Sequence, residues 1–141
     1  PPDPPLFFAV LLGARFWYVD HPLGLADGAV PLAEVGRRLQ ATVRDTDLVG
    51  RYGGDEFIAV TSIEHEEDAP ALAERMLRAL SQPYAGVPSD ISVSASIGVA
   101  VAMDTVDARF VFDRLVRSAD HAMYNAKTDG GDRVELVRFA A

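Results

Sequence analysis

Apolar residues recur along this chain with two different periods, and the alternation between them lays out the expected fold. Residues 6 to 12 form an unbroken apolar run, Leu-Phe-Phe-Ala-Val-Leu-Leu, suited to a buried strand. Leu32, Val35, Leu39 and Val43 then return at helical spacing and predict a helix. Leu48 and Val49, followed after a short polar interruption by Phe57, Ile58 and Val60, read as the two arms of a hairpin. Between Ala69 and Leu80, the side chains of Leu72, Met76, Leu77 and Leu80 share one face of a second helix, which stops before Pro83. Residues 91 to 101 alternate apolar and small side chains as a strand, residues 110 to 126 carry a third helical stripe, and residues 134 to 137 close as a short strand. Helices packed on a mostly antiparallel sheet best satisfy this order, which predicts an α+β sandwich of the ferredoxin-like kind. The aromatic run Phe16-Trp17-Tyr18 is read as helix-packing surface rather than a base-stacking platform, because most aromatics serve burial.

Composition narrows the function. The 141 residues make one ordinary domain, and a hydrophobic content of 49% is enough for a real core. The opening Pro1-Pro2-Asp3-Pro4-Pro5 has the composition of a stiff linker, so residues 1–5 are assigned to a linker and residues 6–141 to the domain, expected to be a fragment of a longer protein. A formal charge of −8 argues against a nucleic-acid binder, which needs a basic face, whereas a nucleotide ligand needs only a few local donors. There is no cysteine, and His21, His65 and His121 lack the spacing of a zinc site, so any metal would be held by carboxylates. The longest apolar run, residues 6 to 12, is too short to span a bilayer and no signal peptide precedes it, so a cytoplasmic location without membrane contact is expected of this segment.

The most informative stretch is Arg51-Tyr52-Gly53-Gly54-Asp55-Glu56-Phe57, at the hairpin turn. Adjacent glycines supply the positive φ values of a two-residue turn, and without Cβ atoms they let a phosphate approach the backbone. Beside them, Asp55 and Glu56 offer the hard oxygen ligands that a magnesium ion carrying a nucleotide prefers. Good turn chemistry without any ligand would read the same way.

The string Gly53-Gly54-Asp55-Glu56-Phe57 is, however, the signature of the GGDEF family, the diguanylate cyclases, which join two GTP molecules into cyclic di-GMP. The resemblance continues in Ser96-Ile97-Gly98-Val99-Ala100, which looks like the family's later core strand, and in residues 119 to 127, which look like its last helix. It implies a nucleotidyl-cyclase-type sandwich with the signature at a hairpin turn, Mg²⁺ as cofactor if the domain is active, and half of an active site per domain. It also implies catalytic and metal-binding roles for Asp55 and Glu56, and contacts to GTP from Gly53, Gly54, Asp20 and Lys127.

The resemblance fails at several of these positions. Family members end the first strand with Asp-x-Asp, whose first aspartate holds metal, and here the matching stretch is Leu12-Gly13-Ala14, with Leu12 at the metal position. Their guanine-reading Asn is matched by Asp20, the second guanine-reading carboxylate by Ala29, and the arginine four residues after Lys127 by Gly131. Magnesium usually keeps only one or two protein carboxylates, so losing one removes a large part of its site. The regulatory pattern is intact. Arg44-Asp45-Thr46-Asp47 matches the family's Arg-x-x-Asp inhibitory site for cyclic di-GMP, and Arg75 matches its supporting arginine. An arginine fork suits guanine O6 and N7, and the resemblance implies that Asp47 accepts from the guanine donors.

The sequence therefore leads to the expectation of a degenerate GGDEF domain that binds cyclic di-GMP at Arg44, Asp47 and Arg75 as a regulatory or receptor unit, with lost or impaired cyclase activity. The alternatives are an active diguanylate cyclase and a nucleotide-free interaction module. GTP, a second copy of the domain, and an adjacent sensor or output domain are the further partners expected.

Overall fold

A computed structural model describes residues 7–19, 32–53, 56–87, 92–103 and 108–138. The elements are β1 (Phe7–Val19), α1 (Leu32–Thr42), β2 (Leu48–Gly53), β3 (Glu56–Ile63), α2 (Asp68–Leu80), β4 (Ser92–Met103), α3 (Ala108–Thr128) and β5 (Arg133–Arg138). They follow the predicted order and build one five-stranded sheet, β2-β3-β1-β4-β5. Every neighbouring pair is antiparallel except β4 and β5, which α3 connects as a parallel crossover. This is the mostly antiparallel α+β sandwich that the hydrophobic pattern predicts.

The two faces of the sheet are covered by different helices. Burial alternates along β3, and Phe57, Ala59 and Ile63 join Ile97, Val99 and Val101 of β4 in a cluster with Val35 and Leu39 of α1 and Leu72, Met76 and Leu80 of α2. On the opposite face, Ala100 and Ala102 of β4 pack against Leu115, Val116, Ala119 and Met123 of α3, with Ile58 and Val60 of β3 at the margin. Gly98 allows α3 to lie directly on the sheet: a Cβ there would stand 2.0 Å from the Ala119 carbonyl oxygen. The period-2 strands and 3.6-residue helices thus meet in two apolar layers.

Arg38 ties α1 to α2. Its guanidinium donates to the carbonyls of Ala79 at 2.8 Å, Gln82 at 2.9 Å and Pro83 at 2.5 Å, while Glu34 holds its Nε at 3.1 Å. These bonds join α1 to the carbonyl of Ala79 in the last turn of α2 and to those of Gln82 and Pro83 just beyond it. Its charge lies 3.7 Å from the centre of the Tyr84 ring. Burial pushes the Tyr84 phenol up to about 12, with Arg38 pulling the other way.

Two expectations need correction. The first strand does not end near Leu12 but runs to Val19, because β4 keeps pairing with it beyond an irregularity between Ala14 and Trp17. Sequence periodicity cannot see a partner strand some eighty residues away. Phe16-Trp17-Tyr18 therefore sit on this strand extension; whether they pack against a helix lies outside the described residues. The second correction is that Gly53 is not a turn residue with positive φ: it belongs to β2 and pairs with Glu56. The two-residue connection is 54–55, and Gly54, Asp55, Asp20, Ala29 and the linker 1–5 lie outside the described residues. Among the described residues, no helix is long and apolar enough to cross a membrane.

Candidate functional site

Two cavities contain the candidate side chains of the described residues. The first, of about 440 Å³, lies between the start of β3 and α3 and is lined by Glu56, Arg117, Asp120, His121, Tyr124 and Lys127. Glu56 enters it because the hairpin register places residue 56 on the face of β3 that looks toward α3, in step with Ile58 and Val60. Lys127 enters from the last turn of α3, where a cation also complements the helix dipole. Glu56 of the signature and Lys127, the lysine expected from the resemblance to contact phosphate, therefore share one cavity, although more than seventy residues separate them.

Gly53, beside Glu56, has open space where a Cβ would stand, so its backbone is approachable. Gly131, at the position of the family's arginine, serves the end of the helix. Its N–H donates to the Ala126 carbonyl at 2.9 Å and that of Gly130 to Lys127 at 3.2 Å, with both glycines at positive φ. Arg117, Asp120, His121 and Tyr124 were missed as cavity residues. Their recurrence at three- and four-residue spacing with Lys127 was the available signal.

Strand register tests the fit of a magnesium ion beside Glu56. Ala14 of β1 pairs directly with Glu56 of β3 and, on its other side, with Ser96 of β4. Leu12 occupies the next row, paired with Ile58 and Gly98. A carboxylate at position 14 would stand across from Glu56, and one at position 12 about 7 Å along the same strand. Alanine and leucine offer no ligand oxygen there. Ser96 is fully buried and its Oγ makes no hydrogen bond among the described residues. No cluster of three acidic or imidazole side chains among the described residues could hold a metal. The described residues do not fit a magnesium site, and Asp55 lies outside them.

The second cavity, of about 310 Å³, is bounded by the end of α1, the end of β3 and the start of α2, and it is lined by Arg44, Asp47, Thr61, Glu64, Asp68 and Arg75 among others. All three residues of the expected regulatory site are brought together here. A tight turn after α1, closed by the Asp47 N–H donating to the Arg44 carbonyl at 3.0 Å, folds Asp47 back under Arg44. Asp47 then accepts from the Arg44 backbone N–H at 2.9 Å and from its Nη2 at 3.2 Å. From α2, Arg75 reaches across the cavity and donates to the Thr42 carbonyl at 3.3 Å.

Asp47 is buried and its pKa is shifted. Burial alone would raise it, but the hydrogen bonds from Arg44 and Thr61 outweigh that and hold the carboxyl below its ordinary value. Thr61, missed from the sequence, donates to Asp47 Oδ1 at 2.7 Å. Its alternation with Phe57, Ala59 and Ile63 along β3 placed it on the inward face, but nothing local pointed to its partner.

Residues 6–133 match the family described as diguanylate cyclase, GGDEF domain. The chain belongs to the GGDEF family. It is 39% identical over 115 residues to the bifunctional diguanylate cyclase/cyclic di-GMP phosphodiesterase MucR of Pseudomonas aeruginosa, a match that covers 82% of this chain and 16% of that protein. Its identity to diguanylate cyclase DosC of Escherichia coli is 34% over 134 residues, covering 94% of this chain and 28% of the relative. The chain thus spans less than a third of the length of these two relatives. Among solved structures it resembles the GGDEF domain of PA1120 (YfiN or TpbB) from Pseudomonas aeruginosa, with a TM-score of 0.72, 28% identity and coverage of 95% of this chain and 84% of that one. This GGDEF domain therefore carries the nucleotidyl-cyclase-type fold expected from its sequence.

Proposed function

We propose that this GGDEF domain is a cyclic di-GMP receptor or regulatory unit whose cyclase activity is lost or strongly impaired. The observation that carries this reading is the gathering of Arg44, Asp47 and Arg75 around one cavity, set against β1, where Leu12 stands at the family's metal-holding aspartate and Ala14, at its second aspartate, pairs with Glu56. In this reading the ligand docks on Arg44, Asp47 and Arg75, and Asp55 and Glu56 are vestiges of a metal site that Mg²⁺ no longer fills. A cytoplasmic location, and an adjacent sensor or output domain or a second copy as partner, go with it. Calorimetric titration of the purified domain with cyclic di-GMP tests it. Saturable binding that Arg44→Ala removes is the expected result, and no heat of binding would end the proposal.

The second reading, an active diguanylate cyclase using Mg²⁺, is favoured by one observation: Glu56 and Lys127 face the same cavity, which is roomy enough for part of a nucleotide. In that case Gly53, Gly54 and Asp20 join Lys127 in holding GTP. Incubation with GTP and Mg²⁺, followed by chromatographic detection of cyclic di-GMP, separates the two readings.

A further inference from the structure

The stripe of α3 that faces the Glu56 cavity carries polar side chains with nothing to hold. Arg117, Asp120, His121, Tyr124 and Lys127 all line that space of about 440 Å³, and among the described residues none of them makes a hydrogen bond or an ion pair. The arginines on the other face of the sheet are different. Arg38 is spent on Glu34 and three carbonyls, and Arg44 on Asp47, Thr61 and Ser62. Arg117 and Asp120 stand three residues apart on one helix, close enough for an ion pair that they do not form. Unspent donors and acceptors that converge on one concave space are what a polar ligand requires.

The order of these groups along the helix has a direction. At the Arg117 end, a donor fork and a carboxylate acceptor lie side by side, with Cβ atoms about 5–6 Å apart. Guanine presents the acceptors N7 and O6 next to the donors N1–H and its 2-amino group, so Arg117 suits the first pair and Asp120 the second. Adenine would set its 6-amino donor against the arginine and its N1 acceptor against the carboxylate. Tyr124, whose ring is 58% exposed, stands one turn on from Asp120, where an aromatic face can stack on a purine. Lys127 follows seven residues after Asp120, about 10 Å of helix rise. That is the order of the distance from the base of a nucleotide to its phosphates.

We propose that the Glu56 cavity takes a guanine nucleotide laid along α3, with Arg117 and Asp120 as the residues that select its base, Tyr124 beneath the purine and Lys127 at the phosphates. The proposal rests on reading this cavity as a GTP site, and it holds whether or not the bound nucleotide reacts. Base recognition then belongs to one helix, and the 2-amino group of guanine is bound by Asp120.

The test is calorimetry on the domain with the α,β-methylene analogue of GTP, which a cyclase cannot turn over, and with the matching inosine and adenosine analogues. Both selecting residues are exposed, so the melting temperature of each variant should stay close to that of the unaltered domain. The guanosine analogue should bind about fivefold tighter than the inosine analogue, which lacks the 2-amino group, and at least about tenfold tighter than the adenosine analogue. Arg117→Ala should weaken the guanosine analogue about tenfold. Asp120→Asn should bring the guanosine and inosine analogues within about twofold of each other, whereas Lys127→Ala should weaken both by the same factor. Unchanged affinity in Arg117→Ala, or a guanosine preference that survives Asp120→Asn, would overturn the inference while leaving the GTP reading of the cavity intact. If the unaltered domain binds none of the three analogues, the GTP reading itself fails and this inference falls with it.

Discussion

One strand, β3, contributes to both cavities from opposite faces, and the two sites are built in contrasting ways. At its C-terminal half, Thr61 turns inward and joins Arg44 and Asp47 in a closed set of hydrogen bonds. At its N-terminal end, Glu56 faces α3, and the residue paired with it across the sheet is Ala14. The first site is defined by mutual hydrogen bonding, so its geometry is over-determined and persists without a ligand. The second is defined mainly by the side chains that line it. The signature string thus marks one face of β3, and the network of bonds around Arg44 fixes a defined arrangement on the other.

The most forceful way to break the contrast is to add carboxylates to the strand beside Glu56. Replacing Leu12 and Ala14 together by aspartate should raise cyclic di-GMP synthesis from GTP and Mg²⁺ by on the order of a hundredfold over the unaltered domain, read by chromatography. Ordinary enzyme rates in the unaltered domain would show instead that the Glu56 cavity already suffices. Next in size, Arg44→Ala should weaken cyclic di-GMP binding by about tenfold to a hundredfold in calorimetry while leaving any GTP binding at the Glu56 cavity unchanged. A parallel loss of both ligands would mean that the two cavities are not independent.

Packing sharpens the comparison further. Gly98→Ala would drive a Cβ into the Ala119 carbonyl and push α3, with Lys127, away from the sheet. A loss of about 2 kcal/mol in denaturant unfolding is expected, together with weaker GTP binding and intact cyclic di-GMP binding. The smallest effect concerns acid stability. The Asp47 carboxyl is held below its ordinary value of 3.8, so its ionised form stabilises the fold above that pH, and this contribution is lost as pH falls through the lower native value. Asp47→Asn should lower stability at pH 7 by about 1 kcal/mol and flatten the fall between pH 4 and the acid limit, in urea unfolding followed by circular dichroism. An unchanged acid limb would show that Asp47 is not the group responsible.

Much of this architecture was legible in the chain. Leu72, Met76, Leu77 and Leu80 announced α2 and its buried face, and the alternation after Glu56 announced β3. Arg44, Asp47 and Arg75 were found by their spacing within the family pattern, and they do meet at one cavity. The helix-face residues Arg117, His121 and Tyr124 were passed over because exposed polar positions on a helix look alike until a neighbouring strand gives them a shared cavity. The length of β1 was underestimated for a similar reason: its last residues are held by β4 and not by local preference.

By itself the sequence determined the order of elements, the period of each apolar face, the family signature and the absence of carboxylates at positions 12 and 14, since all of these are local patterns. Only the tertiary structure decided that Ala14 would stand opposite Glu56 and that Lys127 would share its cavity. It also decided that the hydroxyl of Thr61 would donate to Asp47. Those outcomes depend on strand register and on the seating of helices against opposite faces of the sheet. Both are set by contacts between residues far apart in the chain, whose partners no local pattern names.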